Sequence, residues 1–466
     1  MKKADIIIKN AYLLSMNQQR EVKADACIAI EKDRIAAVGG NEILTEYSAS
    51  RVIDAGGKVV LPGFISTHSH LFQTMLKGLG RDKDLMGWLD NSIRIAARHF
   101  TRETVYYAAL CGCIEAIRSG TTTILDYMYN HAEPGMDEEV IRAFEDLGIR
   151  GILGRSYANV GKYPPERAFR HVETEQDFLD ETRRLEKKYR GHSRIGVAIA
   201  PGIIWDHTDD GFREMRRMAN ELHIPITLHI VETPDDDAFS MKAYGERAIP
   251  HLEKLGLFGP DFIGVHCVNM TDEDFAIFKQ YDVKISHNPA SNMILASGVP
   301  PIKRFVEEGF TVSLACDGSA SGDTQNFLEV LKLSSLLQKV YTRDPKVIPA
   351  VTALEMATLG GAKSIGREAD LGSVEAGKKA DLIFFDPSAI FSVPCYDPVA
   401  ALVYASTPAS IRSVMVDGEM VMENGSICRV DEEKVRYEAR RLGVELVEKA
   451  GLSNTQWGQK MPYPKW

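Results

Sequence analysis

The chain has 466 residues, of which 44% are hydrophobic and 26% are charged, and its formal net charge at pH 7 is −10. This composition supports a large packed core and excludes a disordered chain. The acidic balance argues against a nucleic-acid partner, because proteins that bind nucleic acid usually carry a basic surface. The sequence has no long apolar run of the kind that spans a membrane and no Cys-x-x-Cys pair. Its first residues lack the apolar stretch of a signal peptide, so we expect no secretory signal. We therefore expect a cytoplasmic protein with reduced thiols and no membrane partner.

Both ends of the chain carry short segments that are typical of β-strands. Residues 5–9, 26–30 and 34–38 are rich in isoleucine and alanine and are separated by asparagine, aspartate and glycine. Similar segments return at 381–386 and 412–417. We predict that the two ends of the chain pair with each other in one small β domain.

Between these ends, short apolar runs alternate with longer stretches that can hold a helix. One clear helix is predicted at 215–222, where apolar residues recur at positions 215, 218, 219 and 222. The apolar runs are 59–67, 120–127, 150–157, 194–201, 225–232, 262–268, 283–289 and 311–318. Alternating strands and helices predict a parallel sheet, and this number of units fits a (β/α)8 TIM barrel.

The sequence thus predicts three parts. Residues 1–58 and 368–430 form a small β-sandwich domain, and residues 59–367 form a metal-dependent (β/α)8 barrel. Residues 431–466 form a C-terminal helix and tail, because their first part shows the periodicity of an amphipathic helix.

Metal-ligating side chains follow several of the predicted barrel strands. His68 and His70 end the first strand two residues apart, so both imidazoles point to the same side. His229 ends the fifth strand, His266 the sixth and Asp317 the eighth. Chemistry in such barrels gathers at the carboxyl ends of the strands, and histidine and aspartate supply the ligands of a catalytic metal. Glu232 follows the fifth strand closely and is a candidate general acid and base.

Each of these residues, taken alone, also has an ordinary structural explanation. A single histidine on an apolar strand is usually a core residue, and Asp317 before a glycine is also typical of a turn. Glu232 alone is compatible with a solvated loop. The joint occurrence of these side chains at the ends of four strands favours a metal site.

The motifs that contain these residues resemble the mononuclear deaminase branch of the amidohydrolase superfamily. The similarity is strongest to methylthioadenosine/S-adenosylhomocysteine deaminases and to triazine hydrolases such as melamine deaminase, atrazine chlorohydrolase and hydroxyatrazine aminohydrolase. The motifs that carry it are residues 61–70, 228–233, 265–268, 286–293, 317–321 and 371–382. The resemblance covers nearly the whole chain.

By this resemblance, His68, His70, His229 and Asp317 bind one divalent metal ion, either Zn²⁺ or Fe²⁺, because these ligand types suit both. The resemblance implies that His266 contacts the metal-bound water and that Asp317 helps to deprotonate it.

Glu232 would then carry a proton to the ring nitrogen and to the leaving amine. Binuclear relatives bridge two metals with a modified lysine on the fourth strand. Residues 194–201 contain no lysine, which favours a single metal.

The substrate is less clearly indicated. The candidate substrate-binding residues are Gln73, Trp88, Arg155 and Asn288. Gln73 matches a glutamine of the triazine hydrolases, and Trp88 is suited to stack on a flat ring, although a helix-surface amide and an apolar anchor are equally good explanations.

Nucleoside deaminases of the branch usually have a His-Ser-Pro-Tyr-like stretch after the fourth strand and an acidic residue before the tryptophan. This chain has 200–204 (APGII) and Gly87 at these places, which argues against a ribose-bearing substrate.

We therefore expect a hydrolytic deaminase that releases ammonia from an amino-substituted N-heterocycle of the aminotriazine, purine or pterin type, by attack of a metal-bound hydroxide. The alternatives are a methylthioadenosine, S-adenosylhomocysteine or adenosine deaminase and a hydrolase that removes chloride from a chlorotriazine. A non-catalytic binding protein is a remote alternative, because such members tend to lose metal ligands. The expected partners are the small heterocycle and water, and we expect a homodimer or larger homo-oligomer.

Overall fold

The computed structural model describes residues 1–157 and 173–452, in which two β-sheets dominate. One sheet is parallel throughout and holds the central barrel. Its strands, called barrel strands 1 to 8 in chain order, are Phe64–His70, Thr121–Met128, Arg150–Arg155, Ile195–Ile199, Ile226–Ile230, Phe262–His266, Lys284–His287 and the pair Val312–Leu314 and Asp317–Gly318. These ranges agree closely with the apolar runs of the sequence.

Barrel strand 8 is broken in the middle, and its two halves close the barrel. Val312–Leu314 pairs with barrel strand 7, whereas Asp317–Gly318 pairs with barrel strand 1, where Asp317 lies opposite Ser69. All neighbouring strands run parallel. Within the described residues the (β/α)8 prediction is confirmed, and the closure brings the ends of strands 1 and 8 together.

Helices cover the outside of the barrel. The longer helices of this layer are Arg102–Arg118, Met136–Leu147, Glu175–Tyr189, Asp209–Leu222, Pro234–Tyr244, Ala248–Lys254, Asp272–Gln280 and Phe327–Thr342. Shorter helices are Ile43–Glu46, Leu85–Trp88, Arg94–Ala97, Pro289–Ile294, Ile302–Glu307, Ala350–Glu355, Gly361–Ser364 and Pro398–Ala400. Single 3-10 or π turns are Leu71–Leu76, Leu89–Ile93, Ile204–Asp206, Met356–Gly360, Ala401–Ala405 and Pro408–Ser410.

The helix Asp209–Leu222 shows how the sequence specifies these elements. Thr208 caps its first turn by accepting a hydrogen bond from the Gly211 amide. Met215 and Met218 are fully buried against the barrel, as the spacing of apolar residues predicts. Burying a side chain of this size contributes about 1.5–3 kcal/mol, so such a face fixes the helix on the sheet.

The second sheet is built from both chain ends, as predicted. Its strands are Lys2–Leu14, Val22–Glu31, Arg34–Gly39, Tyr47–Asp54, Val59–Pro62, Leu382–Phe385, Ile411–Val416, Glu419–Glu423 and Ser426–Ile427. Val59–Pro62 joins the two ends, because it pairs parallel with Lys2–Leu14 and antiparallel with Leu382–Phe385. The first apolar run, 59–67, therefore serves both sheets, and the barrel proper begins at Phe64.

A buried ion network connects the second sheet to the amino-terminal end of the barrel. Arg150, the first residue of barrel strand 3, is 1% exposed, and its Nη2 lies 3.1 Å from Asp381 Oδ1 and 2.6 Å from Asp417 Oδ1. The two aspartates flank strands of the second sheet. This end of a TIM barrel serves stability rather than chemistry, so the network belongs to the scaffold.

The C-terminal helix spans Glu432–Lys449 and buries Val435, Leu442 and Leu446 against the barrel layer. The predicted tail at 453–466 lies outside the described residues. The domain bounds at 58/59, 367/368 and 430/431 stay predictions. No helix within residues 1–157 and 173–452 combines the length and the apolar character needed to cross a bilayer.

Candidate active site

The carboxyl ends of barrel strands 1, 5, 6 and 8 bring five of the predicted side chains together. They are His68, His70, His229, His266 and Asp317. All of them are buried except His229, which is partly exposed. Two overlapping groups, His68 with His70 and His229, and His68 with His266 and Asp317, each have ligand atoms within 4.8 Å of one another. This is a histidine–aspartate cluster of the kind that binds a metal ion.

The orientation of two imidazoles supports metal binding. His70 Nδ1 lies 2.7 Å from the backbone oxygen of Tyr127, and His229 Nδ1 lies 3.2 Å from the backbone oxygen of Gly202. A carbonyl only accepts hydrogen bonds, so both Nδ1 atoms carry the proton and both Nε2 atoms carry a lone pair. Such outer contacts commonly fix the tautomer of metal-binding histidines.

His68 and Asp317 complete the cluster. Among the described residues, neither ring nitrogen of the fully buried His68 has a hydrogen-bond partner, although its Nε2 lies 3.2 Å from Asp317 Oδ1. Burial lowers the pKa of His68 to about 4 and that of His70 to about 3, so both are neutral near pH 7. Burial alone would raise the pKa of Asp317, but His68 and its neighbours hold that pKa well below the usual range.

Glu232 and His266 stand beside this cluster. His266 Nε2 lies 3.5 Å from Glu232 Oε2 and 3.9 Å from Asp317 Oδ2. Its Nδ1 contacts Asn292 Oδ1 at 2.8 Å, which fixes the ring, and Ser297 Oγ donates to Glu232 Oε1 at 2.8 Å. Burial raises the pKa of Glu232, which suits a carboxyl group that must both hold and release a proton.

The backbone is strained at two of these positions. His266 has φ of 72° and Asp317 has φ of 62°, in the left-handed region that side chains other than glycine rarely adopt. Such conformations cost about 1–3 kcal/mol each and persist where the surrounding structure enforces them, often at functional sites. Here they turn both side chains into the centre of the barrel mouth.

A cavity opens above the cluster. Its lining residues include His70, Gln73, Trp88, Tyr127, Tyr129, Arg94, Asp206, His229, Glu232, His266 and Asp317. The structure therefore brings two predicted substrate-binding residues, Gln73 and Trp88, to the same cavity as the histidine–aspartate cluster. The Trp88 indole N–H donates to the Ala320 carbonyl at 3.1 Å, which fixes the ring in the wall.

The other two predicted substrate-binding residues do not line this cavity. Arg155 is 1% exposed and its Nε donates to Asp137 Oδ2 at 3.0 Å, with Glu173 as a second partner, so its side chain is committed to an ion network. Asn288 is fully buried and donates to the Ser286 carbonyl at 3.2 Å. A role of either residue in substrate binding stays an untested prediction.

Sequence reasoning missed several groups that the structure places at the site, among them Tyr127, Tyr129 and Ser297. Tyr127 and Tyr129 lie at the carboxyl end of barrel strand 2 and just beyond it. They could have been found by examining the end of the second strand in the same way as the ends of strands 1, 5, 6 and 8. Ser297 lies in a loop far along the chain from Glu232, and no local signal connects the two.

Comparison with known proteins agrees with this site. Residues 59–421 match the amidohydrolase family model, and the chain belongs to the amidohydrolase family. It is 35% identical over 444 residues to a 5-methylthioadenosine/S-adenosylhomocysteine deaminase of Carboxydothermus hydrogenoformans, covering 95% of this chain and 98% of the relative. It is 36% identical over 450 residues to a 5'-deoxyadenosine deaminase of Methanosarcina acetivorans, covering 96% of this chain and 99% of the relative.

Solved structures share the whole architecture. An adenosine deaminase from Xanthomonas campestris with bound zinc superposes with a TM-score of 0.89 at 25% identity, covering 96% of this chain and 99% of that one. An atrazine chlorohydrolase from Arthrobacter aurescens complexed with zinc gives a TM-score of 0.88 at 26% identity, covering 94% of this chain and 100% of that one. The resemblance predicted from the sequence motifs is confirmed, and the chain is a hydrolase of this metal-dependent superfamily.

Proposed function

We propose that this protein is a metal-dependent hydrolytic deaminase that converts an amino group on an N-heterocycle to a carbonyl and releases ammonia. The observation that carries the proposal is the position of Glu232. Its buried carboxyl group lies 3.5 Å from His266 Nε2, beside the histidine–aspartate cluster and in the wall of the cavity. Loss of an amine requires a proton donor at this place, whereas loss of a halide does not.

The residues that would hold one divalent metal ion are His68, His70, His229 and Asp317. The donor set fits such an ion, because unpartnered nitrogens and an ionised carboxylate converge in a buried space. Zn²⁺ is our first choice, since the structures of similar proteins hold zinc, and Fe²⁺ is the alternative. When bound, such a metal lowers the pKa of a water ligand to about 7 and so supplies hydroxide at neutral pH.

The chain's own residues then perform the proton transfers. His266, whose Nε2 faces Glu232 and Asp317, accepts a hydrogen bond from the attacking water and orients it. Glu232 takes the proton from this water and gives it to the ring nitrogen next to the attacked carbon. The proton that remains on the water oxygen, now bonded to the ring carbon, then passes through Glu232 to the amino nitrogen. The carbon–nitrogen bond breaks, ammonia leaves, and the oxygen remains as a ring carbonyl.

An adenine-type ring is the substrate that the comparisons favour. The relatives with 35% and 36% identity, which match nearly the whole chain, are named as deaminases of adenosine derivatives. At 200–204 and at Gly87 this chain departs from the pattern that is usual in nucleoside deaminases of the branch, so any ribose would have to be held by other groups. Aminotriazines, other purines and pterins remain in the proposal, because the cavity wall offers a flat aromatic surface at Trp88.

Ammonia release tests the proposal directly. Purified protein loaded with zinc or iron is assayed against adenosine, 5'-deoxyadenosine, methylthioadenosine, guanine, cytosine, a pterin, melamine and a chlorotriazine, with chloride measured in parallel. We expect ammonia from one ring class, and a loss of about 10²–10⁴-fold in kcat for Glu232→Gln with metal retained. Release of chloride without ammonia would show that the protein is a halide-releasing hydrolase and not a deaminase. Metal-loaded protein that releases neither product would overturn the proposal.

A further inference from the structure

The cavity contains a tyrosine hydroxyl that the deamination steps do not use. Tyr129 follows barrel strand 2, and its oxygen accepts a hydrogen bond from Gln73 Nε2 at 2.7 Å. Its ring is packed edge-on against His70, with centroids 4.9 Å apart, and against Phe72 at 4.8 Å. The ring is thereby held beside the histidine–aspartate cluster, and Tyr129 and Gln73, which its hydroxyl contacts, both line the cavity.

The direction of the hydrogen bond between Gln73 and Tyr129 is fixed by the protein. Gln73 is fully buried, and its Oε1 accepts from the backbone N–H of Ala320 at 3.4 Å. Rotating the amide by half a turn would place its NH₂ group against that N–H, so Nε2 must face Tyr129. The amide also lies against Gly318, where a Cβ atom would come within 1.8 Å of Gln73 Oε1. Only glycine leaves room for Gln73 in this position.

The Tyr129 hydroxyl is therefore left as a donor. Its oxygen already accepts from Gln73, so its own proton must point elsewhere, and no acceptor among the described residues takes it. A tyrosine hydroxyl is protonated at neutral pH, so it has this proton to donate. Tyr127 provides the contrast: it lines the same cavity, but its hydroxyl donates to the Gly202 carbonyl at 3.0 Å.

We propose that Tyr129 is a specificity-determining residue, which donates a hydrogen bond to an acceptor atom of the substrate ring, and that Gln73 is a positioning residue that aims it. The inference rests on the proposed deaminase function and deepens it. The substrate class is a heterocycle with an unprotonated ring nitrogen in addition to the one that Glu232 protonates. A ring with C–H at that position leaves the Tyr129 donor buried and unpaired, and it is therefore discriminated against.

Ring analogues that lack one acceptor test the inference. The probes are 5'-deoxyadenosine and its 3-deaza and 7-deaza analogues, in each of which C–H replaces one ring nitrogen remote from the reacting bond. kcat/KM is measured for wild type, Tyr129→Phe and the matched control Tyr127→Phe, all with metal content checked. The preference is the kcat/KM for the parent divided by the kcat/KM for the analogue. For one of the two analogues, we expect this ratio to be about tenfold larger in wild type than in Tyr129→Phe. Tyr127→Phe should keep the wild-type preference, because its hydroxyl proton is already bound within the protein.

The preference ratio separates this role from a merely structural one, since damage to the fold lowers the rates for parent and analogue alike. Equal ratios in wild type and Tyr129→Phe for both analogues would overturn the inference while ammonia release leaves the deaminase function intact. A Tyr127→Phe variant that loses the preference as completely as Tyr129→Phe would also overturn it. If wild type released no ammonia from any compound of the wider panel, the proposed function itself would fail.

Discussion

The Nε2 atoms of His70 and His229 face each other at 3.2 Å, although the Nδ1 protons of both rings are directed at backbone carbonyls. Two lone pairs thus point at each other in a buried space. Protonation would relieve their repulsion, but burial lowers the pKa values of both rings. A bound cation resolves the conflict, and this relationship is the strongest structural argument for a metal at this place.

We expect His229→Ala to reduce bound zinc to less than about a tenth of the wild-type content. Losing a hydrogen-bond partner of a ligand weakens metal binding about tenfold to hundredfold, and losing the ligand itself should weaken it far more. Ammonia release should fall in parallel. Metal content by elemental analysis checks the prediction. The control is His223→Asn, a histidine with φ of 55° at the end of a helix, where asparagine also fits. Full metal content in His229→Ala would contradict the proposed ligand set.

Asn292 should influence catalysis without touching the substrate. Its Oδ1 lies 2.8 Å from His266 Nδ1 and so keeps the lone pair of His266 Nε2 directed at Glu232 and Asp317. We expect Asn292→Leu to lower kcat by about 10–100-fold with metal retained. Asn292→Asp keeps an acceptor oxygen at this position and should retain more activity. Equal activity of Asn292→Leu and wild type would show that His266 needs no such partner.

The buried network of Arg150 should matter for stability and not for the site. Arg150→Met leaves the buried Asp381 and Asp417 without their main cation, and losing one partner of such a network costs about 3–5 kcal/mol. We expect a clearly lower denaturation midpoint with a normal metal content. Arg436→Met, which removes an exposed ion pair with Glu433, should leave the midpoint almost unchanged. Similar midpoints for both variants would refute the assigned role.

Asp137 should give the protein a measurable acid sensitivity. Burial alone would raise its pKa, but His131 and Arg155 lower it from the usual 3.8 to about 2. Because the pKa of Asp137 is lower in the folded state than in the unfolded state, its charged form stabilises the fold. This stabilisation is fully present above pH 3.8 and is lost as the pH falls through about 2. The shift corresponds to about 2–3 kcal/mol.

The variant Asp137→Asn cannot titrate, so its stability relative to wild type should depend on pH in that window. We expect the difference in denaturation midpoint between wild type and Asp137→Asn to be constant above about pH 5 and to become smaller between about pH 4 and pH 2. Metal-free protein is used for both, so that loss of metal in acid does not contribute. A difference that stays constant down to pH 2 would show that Asp137 is not stabilised in its charged form.

The residues of the histidine–aspartate cluster could be predicted because their signals are local. A strand is recognised from its own apolar run, and the carboxyl ends of parallel strands meet at one face of a barrel whatever the details of packing. His68, His229 and Asp317 therefore converge as the sequence indicates. The second sheet was likewise predictable from short β-rich segments, although the shared strand Val59–Pro62 shows that one apolar run can be divided between two sheets.

The sequence by itself determined the strand–helix alternation, the barrel and the histidine and aspartate side chains at its mouth, since these follow from residue type and short-range periodicity. Only the tertiary structure decided which side chains reach the cavity. Alternate residues of a barrel strand face the interior or the outer helices, and Arg155 at the end of barrel strand 3 contacts Asp137. Tyr129, just beyond barrel strand 2, lines the cavity instead. The direction of the Tyr129 hydroxyl depends on Gln73 and Ala320, which lie 56 and 191 positions away in the chain. Such contacts arise from the closure of the barrel, and no local pattern encodes them.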